Sequence, residues 1–321
     1  MLNDAGYNET EKELKRLERE LRKEYQKAAN EVQGKLNDYM NKFVKEDKLM
    51  YAKVQSGAIT EREYKQWRVR HIAIGERWDN LRVELANDMT NADKIARNIV
   101  NGYMPEIYAV NFNYATFQME QAAAINTNFV MYNRNSVNRL IKKNPDLLPK
   151  PSEKLLARIR RGEVQRYNQQ SLQSALIQGL LQGESIDKLA KRVAVDVGEK
   201  NYNSAVRNAR TMVTGAQNGG RLDAFKRGEE MGIEQEKMWL ATHDSRTRDT
   251  HRELDYQQIP IDEAFANGLM YPADPDGEPA EVYNCRCSMR TVIKNVSRNA
   301  YKHHDSTIEG MSYDEWKRGH K

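Results

Sequence analysis

The sequence predicts a mainly α protein with a small α+β module near its C-terminus, in which long helices precede a compact helical and β region. Three observations carry that expectation. Apolar residues recur at steps of three and four as far as Asn135. Prolines then interrupt the chain at 143–151. From Lys237 the texture changes, as two strand-like runs flank a segment crowded with Gly, Pro and Asp.

The 321 residues amount to about two domains at roughly 150 residues each. Charged residues make up 30% and apolar types 39%, and the mean hydropathy is −0.87. That balance is too polar for a membrane protein, and no stretch approaches the ~18 consecutive apolar residues of a spanning helix. The first residues, Met1 to Gly6, show no basic region followed by an apolar run, so no secretory signal is expected. Two cysteines exclude a disulfide scaffold. The 51 Lys and Arg exceed the 46 Asp and Glu by only five, and they interleave, which does not mark a dedicated nucleic-acid binder.

The first helix is expected to start at a capping box, Thr10 to Glu13, and to carry the stripe Leu14, Leu17, Leu21, Tyr25, Ala28, Val32, Leu36, Tyr39 and Phe43. A break at Gln55-Ser56-Gly57 precedes a second capping box at Thr60–Glu63. The following stripe, from Tyr64 to Ile99, places His71 on the apolar face, where it is expected to be a satisfied interior histidine. A third helix is expected from Tyr103 to Asn135, beginning around Pro105. These elements would form a long-helix stalk or bundle over 1–142, followed by a linker at 143–151. Shorter helices fill 152–236, one ending near Gly183, the next capped by Ser185, and another spanning about Ser204 to Met231. The module is placed at 237–294, with strands at Met238–Thr242 and Val282–Ile293, and a polar, poorly packed tail at 295–321.

Both cysteines fall in Cys285-Arg286-Cys287, on an expected strand, and His243 and His251 lie upstream. Two imidazoles and two thiolates make a complete tetrahedral set for a structural zinc that would tie the start of the module to its last strand. The bland alternative is a pair of reduced cysteines packed as small apolar groups. An enzymatic alternative is a Cys/His hydrolase, or a metal-dependent nuclease assembled from Asp244, Asp249, Glu253 and Asp255. Gly215 to Gly220 lacks the lysine and preceding strand of a phosphate loop. The densest basic spots, Arg158, Arg160 and Arg161 together with Lys188, Lys191 and Arg192, suit weak, nonspecific contact with DNA phosphates.

The run from Trp239 to Asp255, Gly268-Leu269-Met270-Tyr271-Pro272, and the closing Val282-Tyr283-Asn284-Cys285-Arg286-Cys287 strongly resemble the phage head morphogenesis family of minor head (minor capsid) proteins, similar to protein F of phage Mu. Arg207 to Thr214 is similar to that family's arginine-threonine helix. The resemblance covers roughly Gln165 to Ile293. Where many relatives carry a Cys-x-x-Cys pair after an Asp-x-Arg-Thr motif, this chain has Arg248 and His251. The resemblance implies a non-enzymatic protein of the virion. Its partners would be the portal protein, other capsid or scaffolding proteins, and phage DNA. It would lie in the capsid interior or at the portal vertex, and in the host cytoplasm during assembly.

Overall fold

The computed structural model describes residues 4–148, 157–158 and 160–320. The fold is mainly α with a small antiparallel sheet in its C-terminal part. The helices are α1 (Ala5–Asn41), α2 (Val44–Gln55), α3 (Glu61–Ile72), α4 (Glu76–Ala123), α5 (Arg134–Lys143), α6 (Glu163–Leu181) and α7 (Ile186–Glu230). After them come β1 (Ile233–Leu240), α8 (Asp249–Glu253), β2 (Gln258–Pro260), α9 (Pro279–Val282), β3 (Ser288–Val296), α10 (Arg298–Tyr301) and α11 (Tyr313–Gly319). Among the described residues, no helix is long and apolar enough to cross a membrane.

The chain divides into two compact units. One contains 1–18, 99–151 and 207–321, and the other 19–98 and 152–206. Both draw on distant parts of the sequence, because the boundaries at 18, 98 and 206 fall inside α1, α4 and α7. Each unit thus joins segments from either side of the limits expected at 142 and 151. The last part of the expected linker, 149–151, lies outside the described residues.

Several helix limits differ from the expected ones for local reasons. α1 starts at Ala5, not Thr10, because the Asp4 carboxylate accepts the amide of Tyr7 at 2.8 Å. Thr10 then lies inside the helix, its hydroxyl donating to the Gly6 carbonyl at 2.8 Å. The box at Thr60 does form, with the side chains of Thr60 and Glu63 each accepting the other's backbone amide. The stripe beyond it breaks at Gly75, whose φ of +116° a residue with a Cβ rarely adopts. Pro105 does not start a helix; it sits within the continuous α4. The carbonyl it leaves without a helical partner belongs to Asn101, an exposed residue. His71 is exposed rather than interior, with Nδ1 3.1 Å from the Trp67 carbonyl and its ring stacked on that indole.

The unit containing 19–98 and 152–206 buries apolar stripes. Leu21, Val32, Leu36, Leu85, Met89, Leu172, Leu176, Leu189 and Val197 are all without exposure. Helices at this period need little else from the sequence.

In the other unit, Tyr108, Phe112 and Phe117 of α4 pack with Leu222 and Phe225 of α7. The two helices approach closely at Gly220, where a Cβ would lie 2.6 Å from the Tyr108 carbonyl oxygen. The sheet has the order β2-β1-β3, antiparallel throughout, with a bulge at Glu234/Gln235. β1 turns Ile233, Gln235, Lys237 and Trp239 inward. Two of these four are polar, which hides the alternation in the sequence. Both are satisfied, Gln235 by the Phe225 carbonyl at 2.5 Å and Lys237 by the carbonyls of Ile261 and Met270 at 2.8 and 2.9 Å. The tail at 295–321 is packed rather than loose. Trp316 of α11 is fully buried against Phe117 and Phe129, and its Nε1 donates to Glu120 at 2.5 Å.

Candidate metal centre

Cys285 and Cys287 lie in the extended loop before β3, not on a strand, so alternation does not force their side chains apart. The loop is held by one face of α7. Thr211 Oγ1 accepts the Asn284 amide at 3.0 Å, and Thr214 Oγ1 donates to the Cys285 carbonyl at 3.0 Å. Asn218 Nδ2 donates to the Cys287 carbonyl at 3.1 Å, and Arg221 Nη1 to the Met289 carbonyl at 3.0 Å. The four residues recur every three or four positions; Thr211 takes an amide, and Thr214, Asn218 and Arg221 meet the extended chain at every second carbonyl, those of 285, 287 and 289. Two strand residues rise about 6.6 Å and one helical turn about 5.4 Å, so the two ladders stay nearly in step.

Arg221, fully buried, is itself fixed. Its two terminal nitrogens donate to both oxygens of Asp4 at 2.8 and 2.9 Å, and its Nε donates to Asn111 at 3.1 Å. A buried guanidinium in this fork geometry is neutralised and satisfied together.

With the loop so placed, three of the four expected ligands converge. Nδ1 of His251, on α8, lies 3.7 Å from Cys285 Sγ and 3.5 Å from Cys287 Sγ. Among the described residues this is the group of three or more His, Cys, Asp or Glu that could hold a metal ion, its ligand atoms lying within 4.8 Å of one another. A tetrahedral zinc with Zn–S about 2.3 Å and Zn–N about 2.0–2.1 Å separates sulfur from nitrogen by about 3.6 Å, so the donor set fits the ion.

The other ring nitrogen of His251, Nε2, lies 3.0 Å from Glu281 Oε2, off the line of a good hydrogen bond. Glu281 is held in turn by Thr250 at 3.0 Å and Asn267 at 3.3 Å. A carboxylate behind the imidazole is the usual way to orient a metal-binding histidine. The hydrogen bond with Cys285 and the nearby imidazole push the Cys287 thiol down, and the same bond together with burial pushes Cys285 up. Trp239 packs edge-on against His251, with Phe265 and Leu269 alongside in the same cluster.

His243 does not join this group. It is 66% exposed, and its Nε2 lies 2.7 Å from Asp255. It lies three residues beyond the end of β1, outside the core. The acids of the nuclease alternative do not converge either. Asp244 binds Arg286, whose guanidinium holds its carboxyl well below the usual carboxylate range. Asp249 is 86% exposed beside Arg252, and Asp255 accepts the Ala241 amide at 2.8 Å.

The proposed phosphate contacts are partly neutralised within the protein. Arg158 and Arg161 both bind Glu163, at 2.9 and 2.8 Å, and Arg192 binds Glu184 and Asp196. Arg160, Lys188 and Lys191 are exposed.

The family model for phage Mu protein F-like proteins matches residues 170–290, which enclose α7, the three donors and Glu281. The chain is 26% identical over 318 residues to minor head protein GP7 of Bacillus phage SPP1, spanning 95% of this chain and 92% of that one. Both findings support a phage minor head protein family.

Two further relatives match in part. One is an NAD(+)–arginine ADP-ribosyltransferase, EFV, of Enterococcus faecalis, 29% identical over 70% of this chain and 45% of its own length. The other is an uncharacterised protein of Haemophilus influenzae, 30% identical over 62% of this chain and 40% of its own. The chain thus spans under half the length of both. No solved structure gives a significant match.

Sequence reasoning missed Glu281 and the anchoring face. Polar Thr211, Thr214, Asn218 and Arg221 at helical spacing were the available signal for the face.

Proposed function

We propose that this protein acts in phage head assembly without enzymatic activity, by associating with the portal vertex of the procapsid, where it assists DNA packaging or ejection. The observation that supports this reading is the likeness to a minor head protein across 95% of the chain and 92% of the relative. In this reading the Cys285 loop is a structural zinc site. His251, Cys285 and Cys287 supply three donors to it. Zinc bound there supplies folding energy, on the order of 10 kcal/mol in small metal-dependent domains. Glu281 orients the imidazole, and the α7 face presets the loop.

Two measurements test the reading separately. The chain is co-expressed with the portal protein of the same phage, and the two are expected to co-purify and co-elute on size exclusion. Heads that assemble, fill and eject normally without the chain would overturn the assembly role. Metal analysis of the purified chain is expected to give about one zinc, lost in Cys287→Ala together with amide protection over 285–296. A metal-free protein with full protection there would overturn the zinc site.

A further inference from the structure

We propose that the solvent-facing side of α5 binds the phosphate backbone of duplex DNA. This surface differs from both basic spots the sequence suggests, and it does not rest on the assembly role.

α5 is capped at Asn133, whose side chain accepts the Ser136 amide at 3.0 Å. Fully buried Val137 and partly buried Ile141 seat its other side in the aromatic core. The outward side presents Arg134, Asn138 and Lys142 as one stripe, with Arg139 and Lys143 beside it, all exposed. At 100° per residue the four bases cover half the helix circumference and about 14 Å of its length. A fifth cation, Arg227, stands at the same end as the cap. Its Nη1 lies 3.4 Å from the Tyr132 hydroxyl, and its guanidinium sits 5.4 Å from the Phe129 ring centre.

None of these five cations has a carboxylate partner among the described residues. The sequence explains why. No Asp or Glu occurs between Glu120 and Asp146, in a chain that holds 46 of them in 321 residues. Arg158, Arg161 and Arg192, by contrast, are engaged by Glu163, Glu184 and Asp196.

The chemistry of the face selects the partner. A specific protein interface needs an aromatic or aliphatic anchor at its centre, and a membrane surface needs apolar residues to insert. The outward side of α5 has only cations and asparagines, because Val137 and Ile141 are committed to the core. It has no exposed aromatic on which single-stranded bases would stack. Cations and amides spaced along a rod match the phosphates of a duplex, which carries one charge per about 1.7 Å. Contact of this kind positions the duplex without reading its sequence.

The test uses the full chain, fluorescence anisotropy and a short labelled duplex of mixed sequence, over a series of salt concentrations. Each cation that meets a phosphate adds about 0.9 to the slope of log affinity against log salt. Replacing Arg134, Arg139, Lys142 and Lys143 with Gln is expected to reduce that slope by up to about 3.6 and to weaken binding at least about tenfold at low salt. The melting temperature should stay unchanged, since all four are on the surface. Arg134→Lys with Arg139→Lys should keep the wild-type slope, and Arg158→Gln with Arg161→Gln should bind within about twofold of wild type. An unchanged slope in the four-Gln variant overturns the proposal. So does displacement by polyglutamate as effective as by unlabelled duplex at equal charge, or binding to phosphatidylglycerol vesicles without binding to the duplex.

Discussion

The two compact units are stabilised by different means. The unit containing 19–98 and 152–206 depends on many interchangeable apolar contacts along helices. In the unit holding the cysteine loop, a few polar groups each do what no neighbour can. Thr211, Thr214, Asn218 and Arg221 fix one loop, and one loop presents two thiols to one imidazole. The lesson concerns redundancy. Apolar stripes degrade gradually with substitution, whereas a buried polar ladder fails at single residues because each lost partner leaves another group desolvated and unpaired.

Arg221→Ala offers the sharpest way to break this comparison. It leaves the Asp4 carboxylate, the Asn111 amide and the Met289 carbonyl without their partner, and a loss of about 3–5 kcal/mol is expected from chemical denaturation. A loss under about 1 kcal/mol would mean that water replaces the guanidinium and that the ladder is as forgiving as the stripes.

Leu36→Ala, at a fully buried stripe position, should cost about 2–5 kcal/mol while leaving amide protection of the cysteine loop intact. Loss of that protection would join the two regions into one cooperative system.

Lys237 provides a pH readout. Burial lowers its pKa to about 8, from an ordinary 10.5. Between those values the unfolded chain binds the extra proton, so stability rises with pH there; below about 8 the buried charge costs its full amount. Wild type should therefore gain on Lys237→Gln, by up to about 3 kcal/mol, as denaturation is repeated from pH 8 to 10.5. A constant difference would show that the two carbonyls solvate the ammonium as well as water does.

The smallest effect belongs to the surface. Lys65 lies 2.9 Å from Glu61 one helical turn away, and Lys65→Ala should change stability by only about 0.3–0.5 kcal/mol. A larger loss would show that the helical unit also depends on single polar pairs.

Much of this was legible in the sequence, and the gaps have physical causes. Helical periodicity gave the N-terminal helices, since burial on one face leaves a repeat that does not depend on what lies opposite. Their limits were less legible. Thr10 suits a cap and also an interior position, and only the earlier cap by Asp4 decided between them. β1 was read from Met238 although it begins at Ile233, because Gln235 and Lys237 face inward and read as outward residues until their distant carbonyl partners are known. The packing of the tail had a local sign, the box at Ser312 and Glu315 just before Trp316, but its docking site on α4 did not.

At the candidate site, residue types alone picked out His251, Cys285 and Cys287, since thiols and imidazoles are scarce and chemically distinctive. They also picked out His243, which the tertiary structure turns to Asp255. By itself, then, the sequence determined where helices could form and which side chains were able to bind a metal, because propensity and ligand chemistry belong to the residue. Only the tertiary structure decided which donors meet, which carboxylate stands behind the imidazole and which cations remain unpaired. Those outcomes depend on distances between segments far apart in the chain, and no local pattern encodes them.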